Sequence, residues 1–227
     1  MQLLKNLPIG YKALLKDIRL INFFVDEEEL LQEMPALPLF KINDKPVISL
    51  LDVKLFQLQP TFLFKGFQFS YRHIAFRVLI KDDRLHTDGV NRGIYYLHSF
   101  TNNPFIACCG MIFTNFNFRP ARIDEDENSF SLHHKRKWLN YKLDFDNDST
   151  KSKGLMQKLM QIDRAYSLNG KGFKFTQVRR NDLPLHPVCC SHFATNFFET
   201  SRFIDAYCVS QPLNYEWLPA RQCTLGN

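Results

Sequence analysis

GIYYLHSFTNNPFIACCGMIFTNFNFRPAR, residues 93–122, decides how the rest of the chain is read. It opens as an aromatic strand over residues 93–99, breaks, resumes as a short apolar helix, and leaves as a second strand through residues 115–122. The break carries a helix-start signal. Asn103 stands where an N-cap belongs, and Pro104 fills the first helical position, where a missing N–H costs nothing. Residues 105–113 have almost no polar face, so the pattern predicts a buried helix. A buried helix clamped between two aromatic strands would line a pocket.

Composition agrees with a large sheet-built core. The chain has 227 residues, 45% of them hydrophobic and 23% charged, values of an ordinary globular protein, and one domain spanning residues 1–227 is expected. The 22 phenylalanines favour strands. The net charge of +6 is scattered except at Lys135-Arg136-Lys137, which the acidic residues 124–127 balance, as at a solvated hairpin end. That distribution argues against nucleic acid as a partner. The first residues lack a signal-peptide layout, and no apolar run approaches the roughly 18 residues that span a bilayer, so no membrane association is expected. Six cysteines include the adjacent pairs Cys108-Cys109 and Cys189-Cys190. Neighbours on a strand point to opposite faces, so a reduced, cytoplasmic protein is the plain reading. A homo-oligomer is compatible with all of this.

Along the chain, residues 1–17 read as a lead-in helix or coil and residues 20–25 as a buried strand. Asp26 then starts a helix. Glu29 would complete a capping box, Val25 would staple onto Leu30, and Met34-Pro35 ends the helix. Residues 47–57 form a strand with Val53, Leu55 and Leu58 on one side, stopped by Pro60. Residues 69–80, FSYRHIAFRVLI, place Tyr71, His73, Ala75 and Arg77 on one face. Histidine and arginine among small and aromatic neighbours suit a pocket wall; the alternative is a barrel exterior. Residues 130–132 and 138–145 pair as a hairpin, 155–165 read as a helix and 172–180 as a strand. The polar segment 146–154 is either a lid or a surface excursion. His186, Cys189, Cys190 and His192 crowd soft ligands into one extended segment, whereas zinc sites draw their pairs from distant segments, so no metal is predicted. No phosphate loop, nucleophile elbow or H-E-x-x-H is present, and no cofactor is expected.

These stretches carry a resemblance. INFFVDEEELLQEMP, NRGIYYL, TNNP with its apolar helix and Gly110, the strand ending RPARI, and the late CVSQPLNYEWL resemble the acetoacetate decarboxylase-like superfamily, and within it the YqjF-type bacterial proteins, whose reaction is unassigned. The likeness covers about two-thirds of the chain. It implies an α+β fold, a curved, mostly antiparallel sheet closing into a barrel-like core around a cavity. In the decarboxylases a segment after that glycine ends in proline and two lysines, the first forming a Schiff base with the substrate. Counting from Gly110 puts those lysines on Phe118 and Arg119. The family's glutamate two residues after a tyrosine falls on His73, after Tyr71, and its arginine near Phe24. The nucleophile is therefore missing. Phe cannot supply an amine, Arg does not deprotonate, and Lys81 and Lys135 sit in polar loops.

The polar groups expected to converge on the cavity are His73, Arg77, Tyr95, Asn115, Asn117 and Arg119. Asn115, Asn117 and Arg119 alternate against Phe116 and Phe118, so Phe118 and Arg119 cannot both face inward without a bulge. A like charge beside His73 would keep its imidazole neutral, fit to act as a general base, with Arg119 holding a carboxylate. The expected function is binding a small organic acid, with acid–base turnover that needs no Schiff base. The alternative is a non-catalytic ligand-binding or structural protein that keeps only the fold.

Overall fold

The computed structural model describes residues 9–61, 68–83, 89–114, 116, 118–126, 128–145, 153–169 and 172–223. Its elements run β1 (Tyr11–Phe24), α1 (Glu27–Glu33), β2 (Lys41–Ile42), β3 (Lys45–Pro60), β4 (Phe69–Leu79), β5 (Gly93–Thr101), α2 (Pro104–Phe113), β6 (Phe118–Pro120), β7 (Arg122–Glu125), β8 (Ser129–His134) and β9 (Lys137–Asp144). Then follow α3 (Lys153–Gln161), β10 (Arg164–Asn169), β11 (Gly172–Arg180), β12 (His186–Thr195), β13 (Arg202–Val209), β14 (Leu213–Trp217) and β15 (Arg221–Cys223).

β1 organises the sheet. Over its whole length it pairs with β3, while its first half pairs on the other side with β14 and its second half with β13. The switch falls at Asp17, whose φ of 50° breaks the regular strand. Through the first half, the order β1-β3-β4-β5-β10-β11-β14 returns to β1 and closes a seven-stranded barrel. It is mixed, because β5 and β10 run parallel while its other neighbours are antiparallel. Through the second half, β13 leads into β12, β9, β8 and β7, a second sheet. The expected α+β architecture, an antiparallel-rich sheet closing into a barrel, is what the chain adopts.

Alternating strand residues feed two cores. One contains Phe23, Leu50, Phe76 and Phe100 packed with Leu139, Tyr141 and Phe198, and joins the barrel to the second sheet. The other contains Leu15, Leu20, Val53, Ala75, Tyr96 and Phe118, with Leu159 and Ile162 arriving from α3 and the turn after it.

Several local expectations give way to tertiary structure. Residues 11–17 are strand, not lead-in helix or coil. Asp26 is the N-cap of α1 but makes no side-chain capping bond, and the capping box does not form. Glu29 instead accepts from the backbone N–H groups of Glu199 and Thr200. The helix read over 155–165 stops at Gln161, and Ala165 belongs to β10. Asn103 does cap α2, its Oδ1 accepting from Ile106 N at 3.2 Å. Yet α2 is not wholly buried. Ile106, Ala107 and Gly110 face inward, while Phe105 is 58% and Met111 43% exposed. An apolar sequence all round hid that two-sidedness. The lid candidate lies, over residues 146–152, outside the described residues.

Candidate functional site

A cavity of about 120 Å³ sits within the barrel core. β1 and β3 contribute Leu15, Leu20, Leu51, Val53 and Leu55; β4 contributes Tyr71, His73 and Arg77. The alternation read for residues 69–80 thus places His73 and Arg77 together on the cavity wall, and neither belongs to a solvent-facing exterior: they are 5% and 8% exposed.

On β5 the expected residue is wrong by one position. His98 lies opposite Phe76, but Tyr96 lies opposite Arg77, so Leu97 is an extra residue in the ladder. That bulge resets the alternation. Tyr96 enters the cavity, and Tyr95 faces the other core. After α2 the choice between alternating sets falls to the aromatic one. Phe116 and Phe118 line the cavity, whereas Arg119 is exposed on β6. Arg119 therefore does not hold a ligand inside the barrel; its field reaches Glu33. Asn115 and Asn117 lie outside the described residues. Gly110 has a clear role here. A Cβ at that position would lie 2.6 Å from the Phe118 ring, so only glycine lets α2 seat Phe118 against the cavity.

The missed residues come from the chain's end. Tyr215 and Trp217 alternate on β14 into the cavity, and Arg180 reaches it from the end of β11. NYEWL carries that alternation in the sequence, but nothing local says that β14 docks on β1. The indole N–H of Trp217 donates to the Tyr215 hydroxyl, which is hydrogen-bonded to that of Tyr96.

The electrostatics are one-sided. Arg77 donates from Nη2 to Ser49 Oγ at 2.9 Å and from Nε to Ser49 O at 3.3 Å, and has no acidic partner among the described residues. Burial lowers its pKa, yet a guanidinium stays charged. Arg180 donates to the carbonyls of Met160 at 2.7 Å and Ile162 at 3.1 Å, next to the end of α3. Among the described residues, no Asp, Glu or Lys lines the cavity. His73 is pushed down to about 3, first by burial and then by Arg77. The like charge expected to set this value is thus the smaller cause. His73 stacks on Phe118 at 4.7 Å, and its Nε2 is buried with no hydrogen-bond partner among the described residues. Burial also raises the phenols of Tyr71, Tyr96 and Tyr215, so all are neutral. Among the described residues no cluster of three or more His, Cys, Asp or Glu is placed to hold a metal ion. No described helix is long and apolar enough to cross a membrane.

Solved structures decide the architecture. An acetoacetate decarboxylase-like enzyme from Sphingomonas wittichii RW1 superposes with a TM-score of 0.59 over 95% of this chain and 93% of its own, at 9% identity. The chain has the acetoacetate decarboxylase-like fold. An acetoacetate decarboxylase superposes at 0.60 with 11% identity, over 96% of this chain and 91% of that one. MppR, an enduracididine biosynthesis enzyme solved with pyruvate, superposes at 0.54 with 8% identity over 96% and 91%. No protein-family model matches the sequence, and no curated protein matches it. At these identities the acetoacetate decarboxylase-like fold is shared, and the chemistry has to be argued from this chain's own cavity.

Proposed function

We propose that this chain binds a small organic acid in the barrel cavity, with Arg77 reading the carboxylate and without a Schiff base. One observation carries the reading: a buried guanidinium with no acidic partner among the described residues, in a cavity whose described lining holds no carboxylate. An uncompensated buried cation costs several kcal/mol, and a bound carboxylate offsets that cost through charge-assisted hydrogen bonds. The pyruvate complex of MppR supports an acid of this size, as does a cavity close to the ~150 Å³ that admits benzene. The absence of a Schiff base is argued from position. Phe118 occupies the place where the family's motif has its nucleophile. Lys158, lowered to about 8 by burial, turns its amine to the Ile80 carbonyl and is not part of the cavity lining. We place the chain with the YqjF-type branch on the residues quoted above, in the reduced setting that its six free cysteines suit.

His73 is the group able to exchange a proton with a bound acid, its unpartnered Nε2 being the contact. A second reading, ligand binding without turnover, is favoured by the same histidine. A base whose conjugate acid titrates near 3 is weak at neutral pH, far from the matched value that efficient proton transfer needs.

Thermal shift against small carboxylates tests the binding. A ligand at a hundred times its Kd adds about 2.7 kcal/mol, or roughly 5–10 °C for a chain of this size. Arg77→Met should abolish the shift while leaving the fold intact. A shift that survives Arg77→Met would refute the assignment. Borohydride reduction with pyruvate should leave the protein mass unchanged; a trapped adduct would restore a Schiff-base mechanism.

A further inference from the structure

The cavity has two kinds of wall. Where β1 and β3 form it, the side chains are aliphatic apart from Tyr11. Elsewhere the polar end is bounded by rings. Phe118 stacks on His73 at 4.7 Å, and His73 lies nearly parallel to Tyr96, 6.1 Å away with the planes at 11°. Tyr96 meets the Phe116 ring at 4.8 Å and 63°, and Phe116 meets Trp217 at 4.5 Å and 66°. The rings make a continuous belt, and Arg77 is the cross-strand partner of Tyr96 within it.

Three properties then restrict the occupant. Its charge is a single negative one. Arg180 already donates to the carbonyls of Met160, Ile162 and Asn181, whereas among the described residues Arg77 has Ser49 alone and is the guanidinium left for a carboxylate. Its size is about one small ring, set by the 120 Å³ of space. Its shape follows from the belt, because aromatic faces and edges prefer a flat π-system to a puckered saturated one. We propose that the acid bound here is a flat, conjugated monocarboxylate, a five- or six-membered ring acid with its carboxylate at Arg77 and its ring on the belt. This rests on the reading that Arg77 holds a carboxylate.

Calorimetric titration of the full chain with furan-2-carboxylate, tetrahydrofuran-2-carboxylate and furfuryl alcohol separates the two claims. The two acids have the same heavy atoms and differ in flatness; the alcohol keeps the flat ring and loses the charge. The flat acid should bind about three- to tenfold more tightly than the saturated one. Phe118→Leu, which keeps an apolar side chain and removes a ring, should bring that ratio close to one. Trp217→Leu, at the half-buried end of the belt, repeats the test should Phe118→Leu fail to fold. If both acids bind equally and both need Arg77, the carboxylate site stands and the aromatic preference is overturned. If the alcohol binds as well as its acid, or neither acid binds, the carboxylate reading fails and takes this inference with it.

Discussion

Arg72 and Arg77 lie on the same strand, both buried, on opposite faces of the barrel wall, and the chain treats them differently. Arg72 is fully compensated. Its Nε donates to Asp52 Oδ1 at 2.7 Å, its Nη2 to the other oxygen, and its Nη1 to Glu125. Tyr141 donates to the same Asp52, and Arg19 bridges Asp52 and Glu125. Residues from β1, β3, β4, β7 and β9 thereby meet in one network that ties the second sheet to the barrel. Among the described residues Arg77 has Ser49 alone. Where a charge belongs to the architecture, this chain supplies the counter-charge itself. Inside the cavity it leaves the counter-charge to come from elsewhere.

The largest effect is expected at Asp52. Asp52→Asn leaves Arg72 and Arg19 without their shared carboxylate in a buried layer. Removing one partner of a buried pair costs about 3–5 kcal/mol, and urea unfolding should register a loss of that size. A loss below about 1 kcal/mol would mean that water or Glu125 already compensates these arginines, and the contrast with Arg77 would dissolve.

His73 gives the next effect, through pH. Its imidazole titrates near 3 in the folded chain, against 6.5 for an unperturbed group. The unfolded chain therefore takes up this proton first as pH falls. His73 contributes stability that is complete above about pH 6.5 and is lost progressively as pH falls toward 3. The slope in that window is at most ~1.4 kcal/mol per pH unit. Across the window the wild type should lose melting temperature as pH drops relative to His73→Phe, which lacks the titrating group. Parallel curves would show that His73 is not shielded and that the cavity is wetter than its lining implies.

What the sequence made legible follows the range of the interactions involved. His73 and Arg77 were readable because β4 alternates without interruption through both. Asn103 and Pro104 announced α2 because capping is settled within one helical turn. The sequence points to Tyr95 where the cavity takes Tyr96, because a single extra residue, Leu97, reverses the faces of β5, and a bulge leaves no local mark in GIYYLHSF. Polarity in the sequence points to Arg119 over Phe118. The packing of Phe118 on Gly110 decided otherwise. Glu29 had every feature of a capping box and was drawn away by Thr200, far along the chain. Arg180, Tyr215 and Trp217 reach the cavity only because β14 and β11 close the barrel, a long-range pairing that no window of sequence contains.

The smallest effects are expected at Arg77 and Arg119. Arg77→Met removes a buried charge that lacks an acidic partner and leaves only Ser49 to be satisfied. Stability should fall by no more than about 1 kcal/mol, because relief of the buried charge offsets the loss at Ser49, while acid binding disappears. The opposite outcome, a large loss of stability with binding kept, would make Arg77 a second Arg72. Arg119→Ala should do less still. The side chain is exposed on β6, outside the barrel, so unfolding should shift by no more than about 0.5 kcal/mol and any acid affinity should be unchanged. Loss of ligand binding in Arg119→Ala, measured by the same titration, would mean that β6 turns over to present its other set of residues to the cavity. Phe118 would then have to leave the place beside His73 and Gly110 where it now packs, and the aromatic belt would go with it.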